Sequence, residues 1–526
     1  MTSSDARSPG PSTAVPGHPA AVPLVGVHQV DEDFLALPLG SLADTALARA
    51  DQLGASHADV RVERIRSYSL RLRDARTESM TDLTDLGIAV RVVHDGAWGF
   101  AAGMVLTARA ARDLVDRAVA MARVARTASP EAVQRAEEPA HPDTWWVSAY
   151  DRDPFDVADA EKVAHLAEAS HRLLAADPVH HVDASLQAVK EQKFYADSAG
   201  TRATQQRVRT APSYTVVHLG DGGGFETLRT LAPPTGRGAE YLTGTGWDWT
   251  TELDELPSLL AEKVAAPGLA AGRYDLVIDP SNLWLTIHES VGHATELDRA
   301  LGYEANYAGT SFATPDQLGR LRYGSPLMHV TADRVTPHGL ATIGIDDDGV
   351  AAQSWDLVRD GLLVGYQLDR SIAHRIGSVR SNGCAFADSP EHMPLQRMAN
   401  VSLAADPQGP DVAGLVAGVT DGVYVVGDNS WSIDMARYNF QFTAQRFYRI
   451  RAGRLVGQVK DIAYQATTTE FWGSLAALGG PSTWVLGGAF TCGKAQPAQV
   501  APVSHGAPAA VFSGVRVLDT RAEGGG

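Results

Sequence analysis

Apolar and polar positions repeat along this 526-residue chain with a period that changes from segment to segment. Over residues 41–54, Leu42, Ala46, Ala50 and Leu53 recur at helical spacing and predict an amphipathic helix. Residues 59–73 switch to a period of two, the mark of a half-buried strand. GIAVRVVHDGAWGF, residues 87–100, reads as a hairpin turning at Asp95 and Gly96, residue types that accept the positive φ of a tight turn. Residues 107–125 return to helical spacing, with Thr107 as N-cap and Leu114, Val115, Ala118, Val119 and Met121 as the buried side. The Pro- and acid-rich stretch 128–154 reads as a surface connection. A helix over 158–174 follows, then strands over 181–189, 193–197, 201–210 and 213–219, and a last helix within 247–265.

The order helix, strand, strand, Gly-bounded hairpin therefore occurs twice, which fits an internal duplication of order rather than of residues. Residues 266–273, APGLAAGR, are a linker candidate. Beyond them short strand-like runs, punctuated by Gly and Asp, dominate to the end. The fold class expected is α+β. A mixed α/β N-terminal domain spans 33–268 with a possible internal duplication, and a β-rich, mostly antiparallel C-terminal domain spans 269–520. Flexible tails are expected over 1–32 and 521–526.

Composition narrows the function. Apolar residues at 44% fit a globular chain, and 50 glycines fit many tight turns. A net charge of −17 with no concentrated Lys/Arg stretch argues against nucleic-acid binding and against anionic membranes. The basic runs RVERIRSYSLRLR and RFYRIRAGR alternate like strands and read as solvated sheet faces. Cys384 and Cys492 are too few for a disulfide framework and fit a reducing compartment. The leader lacks the basic start and apolar run of a signal peptide, and no segment is apolar enough to span a membrane, so a cytoplasmic location is expected. DDDG at 346–349 lacks the spacing of a calcium loop and reads as a turn. GDGGG at 220–224 lacks a strand-to-helix setting and reads as a loop.

The strongest chemical signal is WLTIHESVGHAT, with His288, Glu289 and His293. Zinc-binding helices usually space two histidines four apart, on one face. Five apart leaves them roughly 140° around a regular helix. A π-type turn would bring them together, and Gly292 sits where such a distortion is cheap. Neutral imidazoles bind zinc well, and a carboxylate next to a ligand is placed to take a proton from a water activated by the metal. Alone, such a pair also fits a satisfied core. A third ligand could come from Cys492, Cys384, His329, His338 or a carboxylate, and spacing does not choose among them. No nucleophile elbow or phosphate-binding loop competes, although a Cys492–His dyad is conceivable.

Taken in order, GASHADVRVE, GIAVRVVHDGAWGFA, HESVGHATELD, GTSFA, TIGIDDDG, LVGYQLDR, PLQRMAN and CGKAQP followed by VSHGAP resemble the TldD/PmbA family of metallopeptidases, once described as modulators of DNA gyrase. The resemblance implies one zinc ion per chain, held by His288, His293 and Cys492, with Glu289 as catalytic base. It implies hydrolysis of unfolded or leader-type peptides entering through a narrow channel, read along a strand edge by main-chain bonds. It also implies a homo-oligomer or a heterodimer with a metal-free family member. The segment 427–456 departs from the family pattern, being less glycine-rich before Asp434 and ending in QRFYRI, and SNGCAFADSP replaces a more basic stretch. The competing expectation is a non-catalytic peptide-binding or regulatory subunit whose structural metal is closed by a fourth protein ligand such as His505.

Overall fold

Alternating β-branched and polar residues draw the first half of the chain into one seven-stranded sheet. The computed structural model describes residues 28–129, 131–220, 222–494 and 498–523. Its N-terminal elements are α1 (Glu32–Leu35), α2 (Leu39–Gln52), β1 (His57–Arg73), β2 (Arg76–His94), β3 (Ala97–Gly103), α3 (Ala108–Ala128), β4 (Thr144–Val147), α4 (Asp159–Leu174), β5 (His181–Asp197), β6 (Arg202–Leu219), β7 (Phe225–Arg229) and α5 (Trp249–Ala265). The sheet runs β3-β2-β1-β5-β6-β4, with β7 also on β6. β1 and β5 pair antiparallel from Asp59 opposite Asp197 to Arg73 opposite Asp183, with Arg66 opposite Lys190 between them. On either side lies a helix, three strands and a helix, each with its own apolar cluster. That repeated order is the one the internal duplication calls for.

Several elements differ from expectation for identifiable reasons. β2 starts at Arg76, well before the predicted hairpin, because β1 pairs with its exposed outer half too. The connection 128–154 contributes β4, parallel to β6. The split strands of the second half are continuous as β5 and β6. Thr107 caps α3 by accepting from the Ala110 N–H, but Met121 is exposed. The buried stripe runs through Ala111, Leu114, Val115, Ala118, Val119 and Ala122, and position 121 lies at its edge. Residues 1–27 and 524–526 of the expected tails lie outside the described residues. Residues 28–32 are packed, with the His28 ring stacked on Tyr150 and Val30 buried, and Thr520–Glu523 is helical.

The DDDG segment forms a turn, Asp346 N–H to Val350 C=O at 2.9 Å, and it is buried against the N-terminal sheet. Lys193 Nζ lies 2.9 Å and Arg61 Nη1 3.7 Å from the Asp347 carboxylate, and Arg91 lies 2.5 Å from Asp348. The first part of RVERIRSYSLRLR is therefore a buried ionic seam and not a solvated face; Arg449 of the second basic run is buried as well. The Gly220 N–H bonds the Gly224 C=O in the β6–β7 loop. Asp221 lies outside the described residues.

In the C-terminal half β8 (Gly272–Ile278) already begins inside the expected linker and leads into α6 (Pro280–Ile287). Asp279 caps α6 by accepting from Ser281 N–H, and Pro280 fits the first turn. Five strands pair in a closed cycle: Asp421–Ile433, β8, Ala510–Asp519, Ile462–Thr467, Asn439–Arg451 and back to Asp421–Ile433. Only the Asp421–Ile433 pairing with β8 is parallel in this cycle. α6 is pinned across the end of the cycle, where Asn282 Nδ2 donates to Gly427 and Thr443 carbonyls and Tyr464 OH donates to Asn282 Oδ1.

Packing at Gly99 is tight enough to test. A Cβ there would lie 1.9 Å from the Ala118 carbonyl oxygen of α3. Gly99→Ala is expected to lower stability by roughly 1–3 kcal/mol through overpacking, read as a lower denaturant midpoint. An unchanged midpoint would show that α3 does not press on β3 this closely.

Candidate metal centre

α6 does not continue as a regular helix. Residues His288–Gly292 form a π turn and His293–Thr295 a 3₁₀ turn. Carbonyls freed by the widening are capped by side chains: Tyr323 OH donates to Ser290 C=O, Thr295 Oγ1 to Val291 C=O at 2.8 Å, and Gln367 Nε2 to Gly292 C=O at 2.7 Å. The result places the two imidazole rings 4.7 Å apart, nearly perpendicular. Gly292 contributes close packing rather than backbone freedom. Its φ of −53° is ordinary helix, but a Cβ would lie 2.6 Å from Met398 Sδ.

The third group arrives on the hairpin of Val485–Lys494 and Gln499–Ala507. The register shifts between Ala489 and Cys492, and after the shift Cys492 Sγ lies 3.5 Å from His293 Nε2. The ligand atoms of His288, His293 and Cys492 all lie within 4.8 Å of one another, the only such group of three among the described residues. Two nitrogens and a sulfur around tetrahedral zinc would stand about 3.3–3.6 Å apart, given bonds of about 2.0–2.1 Å to nitrogen and about 2.3 Å to sulfur. The donor set fits zinc, and the 3.5 Å between Cys492 and His293 is the separation of two atoms sharing one ion; among the described residues no fourth donor joins the group.

Hydrogen bonds fix both histidine tautomers. His505 Nδ1 lies 3.0 Å from the Val401 carbonyl, which only accepts, so that nitrogen carries the proton. His505 Nε2 then accepts from His288 Nδ1 at 2.7 Å, leaving His288 Nε2 with a free lone pair. In the same way His293 Nδ1 donates to Glu296 Oε2 at 2.7 Å and keeps Nε2 for the ion. Glu296 is itself held by Lys494, 3.1 Å away and two residues beyond Cys492. Trp284 of α6 stacks on His505, with ring centroids 6.2 Å apart.

The surroundings favour the ligand forms. Burial lowers the His288 pKa and takes that of His505 well below the ordinary value, in the direction of the neutral form that binds metal. Burial pushes the Cys492 thiol up, but His293 and Arg397 outweigh it and the net shift is down, toward thiolate. Burial would likewise raise Glu289, yet His288, His293 and Arg437 hold its carboxyl below the usual range. Its Oε2 accepts from Arg437 Nη1, and Trp431 also helps hold the carboxyl down.

Of the sequence candidates, the structure gathers His288, His293 and Cys492 and sets Glu289 beside them. It does not bring in Cys384, a buried thiol pushed up to about 12, nor His329, which faces Asp356, nor His338. His505 spends both nitrogens on Val401 and His288 instead of closing the site as a fourth ligand. Glu296, Lys494, Arg397, Trp431 and Arg437 escaped the sequence reading. Only Glu296, one turn after His293, carried a local spacing that could have exposed it.

A cleft of about 500 Å³ is lined by chain neighbours of this centre, among them Thr491 next to Cys492, and Trp284 one turn before His288. One wall is the stretch from Val485 to Thr491, which pairs on its other side with Gln499–Ala507, and Trp284 and Trp431 border it. Gln187, Arg229 and Leu231 close it from the N-terminal half.

Three family profiles match the chain: PmbA/TldA metallopeptidase domain 1 over 58–122, the central domain over 152–266 and the C-terminal domain over 271–519. A metalloprotease of Methanothermobacter thermautotrophicus is 26% identical over 484 residues, 91% of this chain and 97% of its own. A zinc metalloprotease TldD homolog of Saccharolobus solfataricus is 22% identical over 425 residues, 80% of this chain and 88% of its own. The crystal structure of TldE from Thermococcus kodakarensis aligns at a TM-score of 0.69 and 12% identity, over 91% of this chain and 100% of that one, a likeness of fold.

The tautomer argument makes His505→Ala informative. Without its acceptor, His288 loses the bond that orients Nε2, and zinc affinity is expected to fall roughly 10- to 100-fold, measured by competition with a chelating dye. Unchanged affinity would contradict the orienting role.

Proposed function

This chain belongs to the TldD/PmbA family of metallopeptidases, and we propose that it is a zinc-dependent peptidase acting on unfolded or leader-type peptides, with Glu289 as general base. The observation that carries the reading is the meeting of His288, His293 and Cys492 beside Glu289, whose carboxyl is held below the usual range. The S. solfataricus relative's name, zinc metalloprotease, supports zinc, and the N₂S donor set suits zinc by ligand softness.

When bound, the ion polarises the scissile carbonyl and acidifies water. The protein does the rest. The edge of Val485–Lys494 that faces the cleft offers backbone N–H and C=O groups to an extended peptide, which binds main chain without reading side chains. Glu289 takes the proton of the attacking water as its oxygen bonds to the carbonyl carbon. It then gives that proton to the leaving nitrogen as the C–N bond breaks. Glu296 and His505 keep the two imidazoles in the tautomers the site needs.

Alongside the peptide, the proposed partner is a second family chain, either a copy of this one or a metal-free relative, and the proposed location is the cytoplasm. Among the described residues no helix is long and apolar enough to cross a membrane.

Replacing Glu289 by Gln separates base from ligand. The variant is expected to keep its zinc and lose hydrolysis of an unstructured peptide by about 10²–10⁴-fold, followed with a quenched fluorogenic substrate. Full hydrolysis by the variant would remove Glu289 from the mechanism.

A further inference from the structure

Glu289 is not the only charged group aimed at the centre. Arg437 reaches it from the loop between strands Asp421–Ile433 and Asn439–Arg451, inside the segment whose pattern departs from the family. The side chain is largely buried, and its Nη1 donates to Glu289 Oε2. The Nε is buried with no hydrogen-bond partner among the described residues. A guanidinium has five N–H donors, so one held this way keeps donors for a ligand.

The loop is built to hold that side chain in place. Arg437 has φ +61°, a left-handed conformation that costs a side-chain-bearing residue free energy and concentrates at functional sites. Asp434 fixes the turn by accepting from the N–H groups of Ala436, Tyr438 and Asn439. The loop is tied at both sides: Thr310 and Phe312 N–H groups donate to Met435 and Ala436 carbonyls, and Thr468 Oγ1 donates to the Arg437 carbonyl at 2.7 Å. An arginine serving only as a counter-ion would not need a strained backbone clamped by two other segments.

We propose that Arg437 is a catalytic residue whose guanidinium stabilises the negative charge that develops on the scissile carbonyl oxygen. The proposal rests on the peptidase reading above. As the water's oxygen bonds to the carbonyl carbon, the C=O π electrons move onto the carbonyl oxygen and the water's proton passes to Glu289. Negative charge thus leaves Glu289 and appears on the substrate. A guanidinium already bonded to Glu289 is within a side-chain swing of that oxygen and follows the charge. When the C–N bond breaks, the carbonyl re-forms, Glu289 gives its proton to the amine, and Arg437 returns to the carboxylate. A preorganised donor of this kind acts on the transition state more than on the bound substrate.

The test compares zinc-loaded wild type, Arg437→Ala, Arg437→Lys and Glu289→Gln on an unstructured peptide, with zinc content and melting temperature read for each. Arg437→Ala is expected to lower kcat by about 10²–10³-fold while KM and zinc content hold, with a lower melting temperature because Glu289 loses a buried partner. Lysine should restore part of the rate. Guanidinium ion, at concentrations that leave the fold intact, should raise the rate of Arg437→Ala but not of Glu289→Gln. A phosphinic peptide, whose tetrahedral P–O⁻ mimics the charged oxygen, should bind Arg437→Ala more weakly by calorimetry. Wild-type kcat in Arg437→Ala, or a loss that tracks lost zinc and answers to neither lysine nor guanidinium, would overturn the proposal alone. A wild type that cleaves no peptide would remove the peptidase reading, and this proposal with it.

Discussion

Two imidazoles five residues apart share an ion only if the helix that carries them gives up its register, and the widened turn at His288–Gly292 is where this chain does so. Widening costs backbone hydrogen bonds, and Tyr323, Thr295 and Gln367 replace them from side chains of different segments. The turn therefore cannot form in isolation. It needs the β-rich half folded around it, and a side chain at Gly292 would have to displace the end of Met398. The approach of the two imidazoles and the placing of Glu289 beside them follow from this one local distortion.

The same economy links the two halves of the molecule. The cleft is walled on one side by the strand that carries Cys492 and on the other by residues of β5 and of the stretch after β7. The seam elsewhere is ionic, with Arg61, Lys193 and Arg91 meeting Asp347 and Asp348 of the DDDG turn. Charges buried in this way are costly unless paired on both sides, so the seam favours one docking of the halves over alternatives more than it adds stability. A fixed cleft width suits recognition of an extended main chain, whose dimensions do not vary with sequence.

Much of this was legible in the residues and some was not. Helical spacing located α4 within a residue and α3 to within three at its C-terminal end, and Thr107 was readable as a cap because its chemistry is local. A π turn was one of the local distortions by which the spacing of His288 and His293 could serve one ion. What stayed hidden depends on contacts between distant segments. The Arg61 stretch looks solvated until the DDDG turn is seen to cover it, and β4 looks like a connection until it pairs with β6. His505 is an ordinary strand histidine in sequence; only Val401 and His288 on either side give its nitrogens their roles. Arg437 lies 148 residues from Glu289, and no spacing rule spans that distance.

The most direct test of the account is X-ray absorption at the zinc edge on protein purified without added metal. The account expects one zinc per chain with a single sulfur at about 2.3 Å, two imidazole nitrogens at about 2.0–2.1 Å and one further light ligand that exchanges with solvent. A shell without sulfur, or one closed by a third imidazole, would contradict the centre described here; so would a folded chain that takes up no zinc at all.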